Sequence, residues 1–336
     1  MPRIFLLLGS VVLWMYTFTA PSAAHNVDPA VLEKAQYATV AILRNAVPVF
    51  DGLSAVHMAF DIRGTGVHRG GGYIVTSLHA VQVNENGIED IIPRSITILT
   101  ATLGQLTAVL VGQNDDADLA VYRVNDEDRI HLSGAASFAD NESLVGTSVF
   151  MVGYPMNWGS TITFGHVIDT MHYFPTVKSR VIRMHLDSCS GNSGGGVFNE
   201  RGNMLGIAHA IIQTEHVQGH GGCGHIVSVI PAIIVQRTVQ DILEGREPKF
   251  PKIGIEMTMV FMKKHWSVAV VKSTGPAHDA GVRQGDIILS INDQPMFTPS
   301  DVANFIFEKA VPGETLSFNI LRGGKALVLS VKIASP

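Results

Sequence analysis

The segment Gly191–Gly195, which reads Gly-Asn-Ser-Gly-Gly, is the strongest chemical signal in the sequence. A serine hydroxyl becomes a nucleophile only when a base takes its proton and hydrogen-bond donors stabilise the oxyanion that forms. Glycines on both sides of Ser193 allow a tight turn in which the N–H groups of Gly191 and Ser193 converge. The same five residues are also compatible with an ordinary Gly/Ser loop, so the interpretation depends on the rest of the chain.

Two other segments supply the groups that such a serine needs. His79 follows an apolar strand, Tyr73–Thr76, and a strand end holds a general base rigidly. Asp118 stands directly before another apolar strand, Leu119–Val124. Alone, each residue has a structural explanation, as a packing histidine or a turn aspartate. Together, in the order His79, Asp118 and Ser193, they form the base, orienting acid and nucleophile of a hydrolase in the chymotrypsin-type chain order.

The elements that must position these residues are short. From about residue 37 to residue 231, β-type runs are separated by Gly, Asn and Asp. Many short strands without alternating helices predict a mostly β domain, a barrel or a sandwich. Helices are predicted at 28–36, Ala232–Leu243 and 299–309, the last behind a Thr298 cap.

The chain divides into four segments. Residues 1–24 combine Arg3, a short apolar stretch and small residues before His25, which predicts a cleaved secretory signal peptide. The alternative is an uncleaved N-terminal anchor. The remaining segments are a domain at 25–243, a proline-marked linker at 244–251 and a second domain at 252–336.

Bulk properties limit the function further. The 336 residues suffice for two domains, and the net charge of −5 with a pI near 6.3 argues against nucleic acid as a partner. The predicted signal segment indicates an exported protein, periplasmic or secreted.

The sequence resembles the HtrA family of exported serine proteases over almost everything after the signal segment. The resemblance implies a chymotrypsin-like double β-barrel protease domain, with His79, Asp118 and Ser193 in the cleft between two six-stranded barrels. It implies an oxyanion hole formed by the Gly191 and Ser193 amides, and a homotrimer. The segments that carry it are 64–66 with 73–81, 110–112 with 118–121, 153–155 with 161–168, and 206–212.

The residues before Ser193 depart from the family and resemble digestive trypsins instead. Asp187 occupies the position, six residues before the nucleophile, at which trypsins place the aspartate that selects Lys or Arg. The alternative is an Asp187 that is solvated, or hydrogen-bonded internally with His209 as the donor, beside the small aliphatic pocket that the HtrA-like strand implies. The candidate pocket residues are therefore Asp187, Ala208, His209, Ala210 and Ile211.

The two cysteines, Cys189 and Cys223, also resemble trypsins, in which a disulfide ties the nucleophile loop to the segment after the pocket strand. An oxidising compartment permits that bond. The alternative is a metal site, because His216, His220, Cys223 and His225 are residue types that suit zinc at close spacing. We favour the disulfide and expect no metal and no cofactor.

The second domain resembles the small α+β PDZ domains of HtrA proteases, on the segment Gly275–Asn292. The resemblance implies that the amides of Ile253, Gly254 and Ile255 hold the C-terminal carboxylate of a peptide, which adds as a strand beside the helix at 299–309. The alternative is a domain that merely packs on the protease.

Three functional hypotheses follow. The first is a serine endopeptidase that hydrolyses unfolded or regulatory exported proteins and binds peptide C-termini at its PDZ domain. The second is a non-degradative chaperone or scaffold of the same fold. The third is a degradative protease specific for Lys and Arg, which Asp187 would favour.

Overall fold

The computed structural model describes residues 27–44, 61–85, 88–140, 144–174, 177, 179–212, 215–216, 222–248, 251–262 and 264–334. The predicted signal segment lies outside these residues. None of the helices in these ranges has both the length and the apolar character needed to cross a membrane.

Strands dominate the described part of the chain. In the first domain they are β1 (Thr39–Leu43), β2 (Ile62–Gly70), β3 (Tyr73–Ser77), β4 (Val83–Glu85), β5 (Ile88–Ile91), β6 (Ser95–Leu99), β7 (Gln105–Asn114), β8 (Leu119–Val124), β9 (Ser137–Phe138), β10 (Ser148–Gly153), β11 (Thr161–Phe174), β12 (Ser179–Cys189), β13 (Gly196–Asn199), β14 (Asn203–Ile212), β15 (Glu215–His216) and β16 (Gly222–Pro231). In the second they are β17 (Ile255–Met262), β18 (His265–Ser273), β19 (Ile287–Ile291), β20 (Gln294–Pro295), β21 (Thr315–Arg322) and β22 (Lys325–Lys332). The helices are α1 (Pro29–Tyr37), α2 (Ala232–Leu243), α3 (Gly275–Asp279) and α4 (Pro299–Glu308).

The first six-stranded barrel closes in the order β1-β2-β3-β8-β7-β6. Its interior is filled by fully buried β-branched and aromatic side chains, including Ile42, Ile74, Ile98 and Tyr122. The antiparallel pairing of β3 with β8 sets Ser77 opposite Leu119. This register brings the end of β3 and the start of β8 to the same edge of the barrel.

The second barrel contains β16-β12-β11-β10-β13-β14, and it closes because β14 pairs with β16. Met151, Met184, Val227 and Val229 are buried inside it. A further core joins the barrels, since side chains from β3 and β8 pack with others from β10, β13 and α2. The predicted pair of six-stranded barrels is thus confirmed.

The second domain is a sheet in the order β17-β18-β19-β21-β22, with β20 paired to β19. α4 begins with a capping box: the Thr298 hydroxyl accepts from the Asp301 N–H, and the Asp301 carboxylate accepts from the Thr298 N–H. Val302, Phe305 and Ile306 of α4 pack into the domain core. β17 is an edge strand, so one side of its backbone is open to pairing.

α4 also docks on the second barrel, at β11 and β12. Arg180 of β12 is buried and forms an ion pair with Glu308 at the end of α4. Arg237 of α2 donates to the Phe307 carbonyl at 3.1 Å. The strand that leads to Ser193 is therefore in direct contact with the second domain.

Candidate active site

His79 and Asp118 meet where the β3–β8 register predicts. His79 lies on a short 3₁₀ helix after β3, and its Nδ1 donates to Asp118 Oδ2 at 2.6 Å. The His79 backbone N–H donates to Asp118 Oδ1 at 2.9 Å. Asp118 has a φ of +52°, in the left-handed region that aspartate tolerates better than most residues. Two hydrogen bonds therefore fix the orientation of the carboxylate relative to His79.

The turn that carries Ser193 is held by Thr65 of the first barrel. The Thr65 N–H donates to the Ser193 carbonyl at 2.9 Å, and its hydroxyl donates to the Gly191 carbonyl at 2.7 Å. The Gly194 N–H donates to the Ala208 carbonyl at 2.8 Å. Bonds to both barrels thus position the serine in the cleft between them.

The backbone around Gly191 is held in one orientation by the neighbouring residues. The Ser190 carbonyl accepts from the Met156 N–H at 2.9 Å, and because the peptide is trans, the Gly191 N–H points the opposite way. Gly191 has a φ of +100°, and a Cβ there would lie 2.5 Å from the Tyr154 carbonyl oxygen. In the described ranges, the N–H groups of Gly191 and Ser193 donate to no carbonyl.

His79 and Ser193 border one cleft of about 390 Å³. Four of the five candidate pocket residues also line it: Ala208, His209, Ala210 and Ile211. Ser188 and Val227 also line it, and Arg63, Ser190 and Asn192 add polar groups to the wall. The aliphatic part of the wall is formed by Ala208, Ala210, Ile211 and Val227.

Asp187 is placed elsewhere. Its side chain is 73% exposed, is not part of the cleft lining, and accepts from His225 Nδ1 at 2.6 Å. On either side of it, Leu186 and Ser188 are buried. Strand alternation thus turns Ser188 inward and Asp187 outward.

Cys189 and Cys223 form a disulfide that links β12 to β16. Both sulfur atoms are consumed by this bond, so Cys223 has no thiolate to offer a metal. His225 contacts Asp187 instead, and His220 lies outside the described residues. The alternative zinc site on this loop therefore lacks its sulfur ligand.

His209 has a partner that the sequence did not indicate. Its Nδ1 donates to Asp118 Oδ2 at 2.6 Å, so two imidazoles share one carboxylate oxygen. The predicted alternative partner was Asp187. The register of β14 against β16 shifts between Ala208 and Ala210, and His209 lies at this bulge. A bulge re-aims a side chain, and sequence alone gives no signal for it.

The environment of Asp118 keeps it ionised. Burial alone would raise the pKa of this carboxyl, but the hydrogen bonds from His209 and His79, with the attraction of both rings, lower it to about 2. Asp118 is therefore an acceptor for both histidines throughout the neutral range.

A second concave region, of about 520 Å³, lies between the start of β17 and α4. Ile253, Gly254 and Ile255 line one side of it, and Val302 and Ile306 line the other. Gly254 has a φ of +74°, and a Cβ there would lie 2.1 Å from the Thr274 carbonyl oxygen. The predicted carboxylate loop thus borders an apolar groove beside an open strand edge.

Comparisons with known proteins agree with both domains. The family described as "Trypsin-like peptidase domain" matches residues 64–207, and the PDZ domain family matches residues 251–333. A probable periplasmic serine endoprotease, DegP-like, of Bartonella henselae is 28% identical over 277 residues, which are 79% of this chain and 53% of the relative. The serine protease Do-like HtrA of Bacillus subtilis is 27% identical over 290 residues, 79% of this chain and 61% of the relative. The chain therefore spans only part of the length of these relatives.

Solved structures show the same fold. The HtrA-type protease AlgW with a tripeptide superposes with a TM-score of 0.67 at 22% identity, covering 91% of this chain and 96% of that one. The serine endoprotease from Yersinia pestis gives 0.62 at 23% identity, covering 90% and 96%.

The barrels, the cleft and the attached groove define a trypsin-like peptidase domain followed by a PDZ domain. The relatives that this chain resembles are named DegP-like or HtrA serine proteases.

Proposed function

We propose that this protein is a serine endopeptidase that cleaves unfolded or regulatory proteins outside the cytoplasm. The observation that carries the proposal is one cleft bordered by His79, which is bonded to Asp118, and by the turn of Ser193. The N–H groups of Gly191 and Ser193 in that turn donate to no carbonyl of the described residues. The name of the Bartonella henselae relative, which is called periplasmic, supports an exported location. Assembly as a homotrimer is part of the proposal and rests on the family.

The proposed chemistry uses the same groups in both half-reactions. Ser193 Oγ attacks the peptide carbonyl carbon as its proton passes to His79 Nε2, and the Gly191 and Ser193 amides hold the oxyanion. Asp118 stabilises the imidazolium. His79 then donates the proton to the leaving amine, the C–N bond breaks, and an acyl-enzyme remains. In the second half-reaction, water gives a proton to His79 and attacks the acyl carbon; the ester bond to Ser193 Oγ breaks, His79 returns the proton to Oγ, and the acid leaves.

The experiment that tests the proposal is incubation of the purified protein with a fluorescently labelled, permanently unfolded protein. Release of acid-soluble labelled peptides supports an endopeptidase. A substrate that stays full length but is kept from aggregating supports the chaperone or scaffold hypothesis instead.

Cleavage specificity follows from the cleft. Because Ala208, Ala210 and Ile211 line it and Asp187 does not, we expect cleavage after small aliphatic residues such as Val and Ala. Asp187→Ser should leave this preference unchanged. Mass spectrometry of the peptides released from a denatured protein mixture measures the profile.

Ile211→Gly is the matched change inside the cleft, and it should admit larger side chains because it removes a branched wall. A profile dominated by Lys and Arg, and lost in Asp187→Ser, would contradict this reading and favour the trypsin-like hypothesis.

The PDZ groove is proposed to bind peptide C-termini and thereby to raise protease activity. The titles of two neighbours name a tripeptide and a decapeptide with AlgW, which supports peptide binding in this fold. Residues on one face of α4 line the groove, and Glu308 at its end pairs with Arg180 of β12. A peptide in the groove would therefore touch α4, and α4 touches β12, the strand that leads into the turn of Ser193.

Amidation of the C-terminus of an activating peptide should weaken its binding by about tenfold or more, since a charge-assisted hydrogen bond is worth about 1.5–3 kcal/mol. Fluorescence anisotropy gives the affinity, and hydrolysis of the unfolded substrate gives the activation. N-terminal acetylation of the same peptide is the control and should change neither. Equal binding and activation by the free and amidated peptides would exclude carboxylate recognition.

A further inference from the structure

Three ligand-type atoms converge at the base of the catalytic cleft. Asp118 Oδ2 lies 2.6 Å from His79 Nδ1 and 2.6 Å from His209 Nδ1, and all three atoms are within 4.8 Å of one another. The two rings are nearly perpendicular, at 84°, with centroids 5.4 Å apart. The two nitrogens therefore approach the carboxylate oxygen from different directions, as the ligands of a tetrahedral ion do.

We propose that Zn²⁺ binds between His79, Asp118 and His209 and reversibly inhibits the protease. Zinc binds imidazole at about 2.0–2.1 Å and carboxylate oxygen at about 2.0–2.2 Å, so tetrahedral ligands stand about 3.3 Å apart. Both Nδ1 atoms now lie 2.6 Å from Oδ2, so each nitrogen–oxygen separation has to open by about 0.7 Å. The His79 side chain is 40% exposed and can open the first separation, and a shift of the Asp118 carboxylate opens the second. The cleft side leaves the fourth position to water.

Binding needs no loss of protons. Each neutral imidazole moves its proton from Nδ1 to Nε2, and the freed Nδ1 lone pair binds the ion. The site then carries two neutral imidazoles, one carboxylate and Zn²⁺, with a net charge of +1. His79 Nε2 is now a donor and cannot accept the proton of Ser193. Inhibition therefore follows from the tautomer that zinc requires.

The donor set also determines which ions compete. Imidazole nitrogens suit Zn²⁺, Ni²⁺ and Cu²⁺, whereas Mg²⁺ and Ca²⁺ prefer oxygen ligands only. We therefore expect zinc inhibition at concentrations at which magnesium has no effect. The binding stands on the geometry alone, while the inhibition rests on the proposed function.

Any test has to distinguish zinc bound at this site from zinc bound by surface histidines. His166, His185 and His225 form an exposed stacked row on β11, β12 and β16, with ring centroids 5.3 and 6.3 Å apart. The test therefore starts from the double variant His166→Gln/His185→Gln, called the background, which removes two of these histidines and leaves the cleft unchanged.

Calorimetric titration with zinc chloride is done in this background carrying Ser193→Ala, so that no hydrolysis is needed. We expect one site, weakened at least about tenfold by a further His209→Gln or, separately, by His79→Gln, and no heat with magnesium chloride. Circular dichroism shows whether each variant is folded. Zinc binding that both variants leave unchanged would overturn the proposal.

Hydrolysis is measured in the same background with Ser193 present. Zinc should stop the reaction and a chelator should restore it, and both effects should match those in the unmodified protein. If zinc inhibits the unmodified protein but not the His166→Gln/His185→Gln variant, the inhibitory zinc binds at the surface histidines, and the proposal is overturned. If the protein hydrolyses no substrate, the proposed function fails, and the calorimetry still decides the metal site.

Discussion

Ser193→Ala is expected to reduce hydrolysis of an unfolded protein by about 10⁴- to 10⁶-fold, because the only attacking atom proposed for the reaction is lost. The fold and peptide binding at the PDZ groove should be unchanged, since the Thr65 bonds to this turn use backbone carbonyls of Gly191 and Ser193. The measurements are the initial rate of peptide release and the anisotropy of a labelled C-terminal peptide.

Ser190→Ala is the matched control for that variant. Ser190 lines the same cleft three residues earlier, and its carbonyl, which holds Met156, is retained. Its activity should stay within a few-fold of the unmodified protein. Undiminished turnover by Ser193→Ala would refute the proposed mechanism, whatever Ser190→Ala shows.

Asp118→Asn should lower the catalytic rate by about 10⁴-fold. The asparagine oxygen can still accept from the His79 backbone N–H, but its NH₂ group then faces the Nδ1 atoms of both histidines. A donor at that place forces His79 into the tautomer whose Nε2 carries the proton, so it cannot act as a base. Rates at saturating substrate measure this effect separately from binding.

The surface pair of Asp187 and His225 provides an unusually close control. The same atoms meet at the same 2.6 Å, but away from the cleft. Asp187→Asn should therefore leave the rate unchanged. Equal losses in the two variants would mean that the effect of Asp118→Asn is not specific to the active site.

The Asp118→Asn variant should also change how the stability of the fold depends on pH. The folded pKa of Asp118 is about 2, below its ordinary 3.8, so ionisation of this group stabilises the folded state above about pH 4. That contribution is lost as the pH falls through about 2. Asp118→Asn should therefore reduce the change in melting temperature between pH 4 and pH 2. An unchanged pH dependence would contradict the lowered pKa.

Much of the architecture was predictable because it depends on local chemistry. The helix predicted at Ala232–Leu243 has those ends in the structure, and the strand at Leu119–Val124 does as well. Apolar periodicity, turn residues and the Thr298 cap act over a few residues, so the sequence contains them directly. The order of His79, Asp118 and Ser193 was informative for a different reason: few other chemistries require these three types beside such segments.

The sequence did not predict which way the side chains point at the residues around the cleft. Asp187 has the trypsin-like spacing to Ser193, yet a one-residue change in strand register exchanges the two faces of a sheet. The pairing of β12 with β16 shifts register between His185 and Ser188, next to this aspartate. Spacing along the chain therefore did not decide whether Asp187 entered the cleft.

Residue types and local patterns by themselves predicted a mostly β chain, a second domain and the candidate reactive groups, whereas the two barrels were implied only by the family resemblance. Only the tertiary structure decided that Asp187 faces solvent and that His209 shares Asp118 with His79. The second result depends on a bulge in β14 that turns His209 toward a residue 91 positions away. Such a contact is set by the packing of two barrels against each other, which no local pattern encodes.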